Sequence, residues 1–207
     1  MKRDTQPLFI SETNKKDCRR FFFQIVIKPL NSDVQSSECL SRPSDQYIAK
    51  VEGGRLIHTL PTSLDEATQD FSTAQRLAYE RAFEADMFNL LVGSLAEAKY
   101  VALRDGELIN PQLLKINALH NYGGLSDLEM INEYFECFID SDELRERKMG
   151  ELFLAAFGFV NERSNWLGIT TLADYILADD RNIIECDEII TVLETGAAAG
   201  GLLRMSR

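Results

Sequence analysis

The sequence predicts an α+β fold: a small antiparallel β-sheet over about residues 21–60, packed on a mainly α-helical body of five to seven helices. Three observations carry this. Strand-forming residues crowd the first third of the chain, helix-capping motifs recur from Ser63 onward, and Met87–Ala96 is a ten-residue stretch without a charge inside a long helical pattern. The segment 1–62 is expected to be the β-rich part, 63–196 an acidic helical domain, and 197–207 a flexible tail of low complexity.

The first strand is the aromatic and β-branched run Phe21–Ile27, stopped by Pro29. Residues 31–46 are rich in serine and contain Pro43, which is loop chemistry. Beyond them, Tyr47–Val51 and Arg55–Leu60 flank Glu52, Gly53 and Gly54, so the pattern predicts a hairpin whose tight turn needs two residues at positive φ. Three strands alone are marginal, and this sheet should lean on the helices that follow.

Helix starts are written as capping boxes, in which a serine hydroxyl and a later Glu or Gln satisfy two orphan backbone N–H groups. Ser63 with Glu66, Ser72 with Gln75, and Ser126 with Glu129 fit the pattern. Asn110 before Pro111, the group Asp140–Glu143, and Thr170–Asp174 are weaker starts. Gly106, Gly123–Gly124 and Gly196 are the matching stops, and the longest helix should run from about Thr73 to Arg104. Leu77, Phe88, Leu91, Leu95, Phe135, Phe153, Phe157 and Val160 are expected in the core.

At 207 residues, 45% hydrophobic and 27% charged, the chain can bury a sizeable core and is neither disordered nor collagen-like. Its longest uncharged apolar stretches, 87–96 and 152–161, are about half the roughly 20 residues that a spanning helix needs. Cys18, Cys39, Cys137 and Cys186 are widely spaced, with no CxxC pair, which points to a reducing compartment; no signal-type apolar core follows Met1. Cytoplasm is the expected location.

Charge is the strongest functional pointer. Twenty-two Lys and Arg face 33 Asp and Glu, a formal net charge of -11. Residues 1–62 carry net +3 and residues 63–207 net -14. An acidic body repels nucleic acid and anionic membranes and attracts basic surfaces. Between Lys115 and Arg145 there is no Lys or Arg, yet the interval holds Asp127, Glu129, Glu133, Glu136, Asp140, Asp142 and Glu143. Leu128, Ile131, Phe135 and Phe138 recur at helical steps as a buried face. Glu129, Glu133, Glu136 and Asp140 step by four, three and four, so they should line another face of the same helix. Like charges at such spacing cost about 0.2–0.5 kcal/mol per pair. Their separation along the axis, about 5–6 Å, is close to that of phosphates on a nucleic-acid strand, so the row could occupy a basic groove that normally holds DNA or RNA. The competing reading is a solvated face, or one neutralised by Arg145, Arg147 and Lys148.

These residues predict a non-enzymatic acidic protein that binds other proteins: an inhibitor that engages a basic, nucleic-acid-binding surface of its partner as a nucleic-acid mimic. The expected contact residues are Glu129, Glu133, Glu136, Asp140, Asp142 and Glu143. No cofactor and no membrane contact is expected, direct nucleic-acid binding is disfavoured, and oligomeric state is left open. Two alternatives stand beside this. One is a nucleic-acid-associated protein using the basic edge Lys15, Lys16, Arg19 and Arg20 before three phenylalanines. The other is an enzyme with an acidic metal site at Asp179–Glu188, where Asp179, Asp180, Glu185, Asp187 and Glu188 cluster. His58 and His120 are the only histidines; neither accompanies a nucleophile motif, and no phosphate-loop spacing surrounds the glycine pairs.

Overall fold

A computed structural model of the chain describes residues 23–29, 47–111, 114–179 and 181–202. The fold is α+β. In chain order come β1 (Phe23–Pro29), β2 (Tyr47–Gly53), α1 (Leu64–Ala67), α2 (Thr73–Arg104), a 3-10 helix (Ile116–Tyr122), α3 (Leu125–Phe138), α4 (Asp142–Asn161), α5 (Arg163–Ala178), β3 (Ile183–Glu185) and α6 (Cys186–Leu202). The expected start of β1 at residues 21–22 and the serine-rich loop lie outside the described residues.

The sheet has the order β2-β1-β3 and is antiparallel throughout. β1 pairs with β2 from Phe23 opposite Gly53 to Pro29 opposite Tyr47, and with β3 through Ile25 opposite Ile184. This corrects the expected hairpin. Gly53 and Gly54 do adopt positive φ, 86° and 79°, but residues 55–60 form no strand. The backbone N–H groups of Leu56 and Ile57 donate instead to the buried carboxylate of Asp86 on α2, at 2.8–3.1 Å. A ladder partner for β2 is thereby lost, and the third strand comes from residues 183–185.

Two apolar clusters hold the molecule. The larger joins α2, α3, α4 and the 3-10 helix around Phe83, Met87, Leu91, Leu95, Leu119, Ile131, Tyr134, Phe135, Phe153 and Val160. The smaller buries Ile25, Ile27, Ile184 and Ile189 against Leu172, Tyr175, Ile176 and Leu193 of α5 and α6. Among the expected core residues, Leu91, Leu95, Phe135, Phe153 and Val160 are buried, while Phe88 and Phe157 are half-buried. Leu77 is exposed. The first turns of α2 overhang the core, whose buried residues on this helix begin at Phe83.

Helix ends follow the capping chemistry in part. The Ser63 hydroxyl accepts from the Glu66 N–H, and Ser72 with Gln75 forms the complete reciprocal box at the head of α2, which spans the expected Thr73–Arg104. Ser141 is the residue that precedes α4. Ser126 is not a cap: α3 starts one residue earlier, behind Gly124. Gly123, at φ 71°, ends the 3-10 helix, and Gly124 then crosses α2 so closely that a Cβ there would lie 2.3 Å from the Ser94 hydroxyl. After Asn110–Pro111 the described structure resumes at Leu114, and the 3-10 helix begins at Ile116. Thr170 lies inside α5, its hydroxyl donating back to the Trp166 carbonyl at 3.0 Å. Gly196 is a packing position within α6, pressed on Thr171 and Gly168 of α5, so that helix runs on to Leu202 and the first part of the expected tail is helical. Residues 203–207 lie outside the described residues.

Candidate functional site

α3 turns Ile131, Tyr134, Phe135 and Phe138 into the larger cluster, which leaves Glu129, Glu133 and Glu136 exposed on its opposite side. The three carboxylates span about 10 Å along the axis at 1.5 Å per residue. Asp140 is also exposed but does not belong to this helix, because α3 ends at Phe138 and Ile139 is already extended, with ψ 115°. The row of four is therefore three on the helix and one in the α3–α4 connection. Asp142 and Glu143 open α4, where acids complement the helix dipole.

The bases that follow α3 do not neutralise this face. Arg145 donates to the Ile139 carbonyl and pairs with Asp142 at 3.2 Å. Lys148 reaches Glu84 of α2 at 2.6 Å, and Arg147 pairs with Glu151 along α4. Among the described residues no ion pair or hydrogen bond involves Glu129, Glu133, Glu136 or Asp140. At the start of α3 the Arg55 guanidinium lies 3.5 Å from the Met130 sulfur and acts on the Asp127 carboxylate. Half-buried Cys137 reports the local field: burial first, then the charges of Glu136 and Glu133, push its thiol above the ordinary range.

Beside the acidic face, an open recess of about 680 Å³ lies between α1, α2 and the α3–α4 connection. Asp65, Arg76, Cys137, Asp140, Leu144 and Lys148 are among its walls. Of the four acids in the row, Asp140 lines the recess, while Glu129, Glu133 and Glu136 lie outside it.

The second acidic group is organised around a cation of the chain itself. Arg181 donates to Asp179 through Nε at 2.9 Å, to Glu188 through Nη2 at 2.6 Å, and to the Tyr175 hydroxyl at 2.8 Å. Glu185 and Asp187 point to water, and Asp180 lies outside the described residues. Among the described residues no group of three or more His, Cys, Asp or Glu is placed to hold a metal ion. Hydrogen bonds from Arg181 hold the Asp179 carboxyl down to about 2. A carboxylate shifted this way favours the folded state above its ordinary range and loses that contribution as pH falls toward 2. Arg181→Gln should raise the Asp179 midpoint toward its ordinary value in a carboxyl NMR titration but not all the way, because the backbone N–H of residue 181 still donates to the carboxylate; an unmoved midpoint would show that the guanidinium does not set it.

His58 is exposed in the irregular segment after β2, not on a strand. His120 is exposed in the last turn of the 3-10 helix, its ring bonded to the Asn117 carbonyl. The basic residues Lys15, Lys16, Arg19 and Arg20 lie outside the described residues. Sequence reasoning missed two charged residues that the fold buries, Asp86 and Lys99, both on α2. Asp86 accepts from Leu56, Ile57 and the Tyr134 hydroxyl. Lys99 donates to the Val160 carbonyl at 2.9 Å and stands 4.3 Å from the Trp166 ring centre. Both serve the fold by satisfying backbone groups.

The chain matches no protein-family model, no curated protein and no solved structure. Among the described residues no helix is long and apolar enough to cross a membrane.

Proposed function

We propose that this is a cytoplasmic, non-enzymatic binding protein that inhibits its partner by presenting α3 to a basic, nucleic-acid-binding surface. One observation supports the reading above the others. Glu129, Glu133, Glu136 and Asp140 are exposed and unpaired among the described residues, while Arg145, Arg147 and Lys148, the bases within reach in sequence, are engaged elsewhere. Among the described residues no Lys or Arg is drawn to this face, so the three glutamates and Asp140 add to one negative field there. A groove lined by Lys and Arg would relieve the repulsion and be steered toward it, faster at low salt. The adjoining recess offers room for one anchoring side chain of the partner.

The test is a paired pull-down from host lysate with the full chain and with E133K/E136K. The wild type should enrich a nucleic-acid-binding protein that duplex DNA or RNA displaces, and the double reversal should lose it. Thermal stability should stay level or rise slightly, because the reversal leaves Glu129 facing a cation one turn away. Capture that survives the reversal, or that nucleic acid does not compete with, would remove α3 as the contact face.

A further inference from the structure

β2 stands at the edge of the sheet, and among the described residues no strand pairs with its outer side. Natural edge strands are usually shielded by a proline, a bulge, charged side chains or a covering element; β2 carries charges, Lys50 and Glu52, but of opposite sign. The register of β2 on β1 is unbroken from Tyr47 to Gly53, so there is no bulge, and Lys50, Val51, Glu52 and Gly53 include no proline. Val51 sits opposite Ile25, which itself sits opposite Ile184. Cross-strand partners share a face, so Val51 belongs to the side of the sheet that buries Ile25 and Ile184 against α5 and α6. Yet Ile25 is 5% exposed and Val51 60%. The apolar face runs one strand further than its cover.

The charges flanking Val51 say what completes it. Lys50 and Glu52 lie two residues apart, on the other face, with opposite signs. Glu52 is held there by the Gln24 amide, which donates to its carboxylate at 3.2 Å. If two β2 strands meet antiparallel about a two-fold axis at Val51, Lys50 of each copy falls opposite Glu52 of the other, and the two valines face one another. The sequence is complementary to itself in that register alone among those centred on Lys50, Val51 or Glu52, because the other two set a charge against its own kind. We propose that β2 is a self-pairing edge, through which two copies of this chain join their sheets into one continuous antiparallel sheet. Such an interface is isologous, so every contact occurs twice.

Because it occurs twice, a single substitution changes two cross-strand pairs. The test is the mass of the full chain in solution, by light scattering after size exclusion and by sedimentation. The wild type should dimerise with concentration. K50E and E52K, each setting like charges opposite one another at two places, should weaken the dimer about tenfold or more. K50E/E52K, which swaps the signs, should restore it, and an equimolar mixture of K50E with E52K should form a heterodimer that neither makes alone. Equal melting of all the variants at a dilution where each is monomeric keeps the comparison one of association. A wild type that stays monomeric, or a dimer indifferent to the single reversals, overturns the proposal. Neither result bears on α3, which carries different residues on the other cluster.

Discussion

Asp86→Ala is expected to lower the unfolding free energy by about 3 kcal/mol, because it strands buried donors and leaves a cavity. The carboxylate, 3% exposed, accepts from the Leu56 and Ile57 backbone and from the Tyr134 hydroxyl at 3.0 Å. Removing it also removes a buried charge, which is why the loss falls short of three separate bonds to a charged acceptor. Asp86→Asn keeps the volume but sets an amide NH2 against donors, and should cost about 2 kcal/mol. Tyr134→Phe, which spares both backbone bonds, should cost about 1 kcal/mol. Urea denaturation would rank the three; equal losses for Asn and Phe would mean that the backbone bonds contribute little. A pH effect comes with this node. Burial, reinforced by the charge and hydrogen bond of Asp86, drives the Tyr134 phenol well above its ordinary value. A group raised in the folded state contributes fully below its unfolded value, so stability should decline once pH passes about 10, where the unfolded tyrosine ionises. Tyr134→Phe should remove that part of the alkaline loss.

Lys99→Ala should be comparably severe, about 2–4 kcal/mol, through a cavity and an unsatisfied carbonyl at the end of α4. The ammonium meets the Val160 carbonyl, one of the last of that helix, where a cation also complements the dipole. Its second contact is Trp166 in the first turn of α5, beyond the one-residue break at Glu162. Lys99→Met fills the space without the cap and should cost about 1–2 kcal/mol, which separates packing from capping. Trp166 is the only tryptophan, so its emission should shift in both variants; a melting curve and spectrum unchanged in Lys99→Met would show that the charge has no structural role. Burial lowers the Lys99 ammonium below its ordinary range. That sign is opposite to Tyr134: the penalty of burying the charge holds at neutral pH and is relieved as pH rises through the lowered value.

What the sequence could show follows the range of its signals. α2 was legible end to end because its start, the Ser72–Gln75 box, and its stop before Gly106 are local, and its core stripe recurs at a fixed period. The exposed acids of α3 were legible for the same reason, although the row was carried one turn too far, since nothing in the spacing marks Ile139 as extended. Gly53 and Gly54 disclosed their own conformation but not where the chain goes next. That depends on Asp86, some thirty residues away, whose charge in a helix reads as a solvent-facing residue. β3 is three residues long, and its partner is more than 150 residues distant, too short a pattern and too long a reach for periodicity to register.

That last pairing sets an order of events for folding. The larger apolar cluster is drawn from a continuous stretch, Ile57 to Val160, whereas the smaller one joins residues on either side of that stretch, 23–27 with 172–193. One cluster is nested inside the other. During vectorial synthesis the inner cluster can assemble from nearby helices as they emerge, while β1, made first, has no β3 to pair with until nearly the whole chain has been translated. Contacts of such sequence separation carry the largest loop-closure entropy and form last, but a pre-formed inner cluster shortens the loop that must be closed. In refolding experiments the helical signal should therefore precede protection of the β1 amides, and the interval between them is the window in which β1 stands open to strands from other molecules.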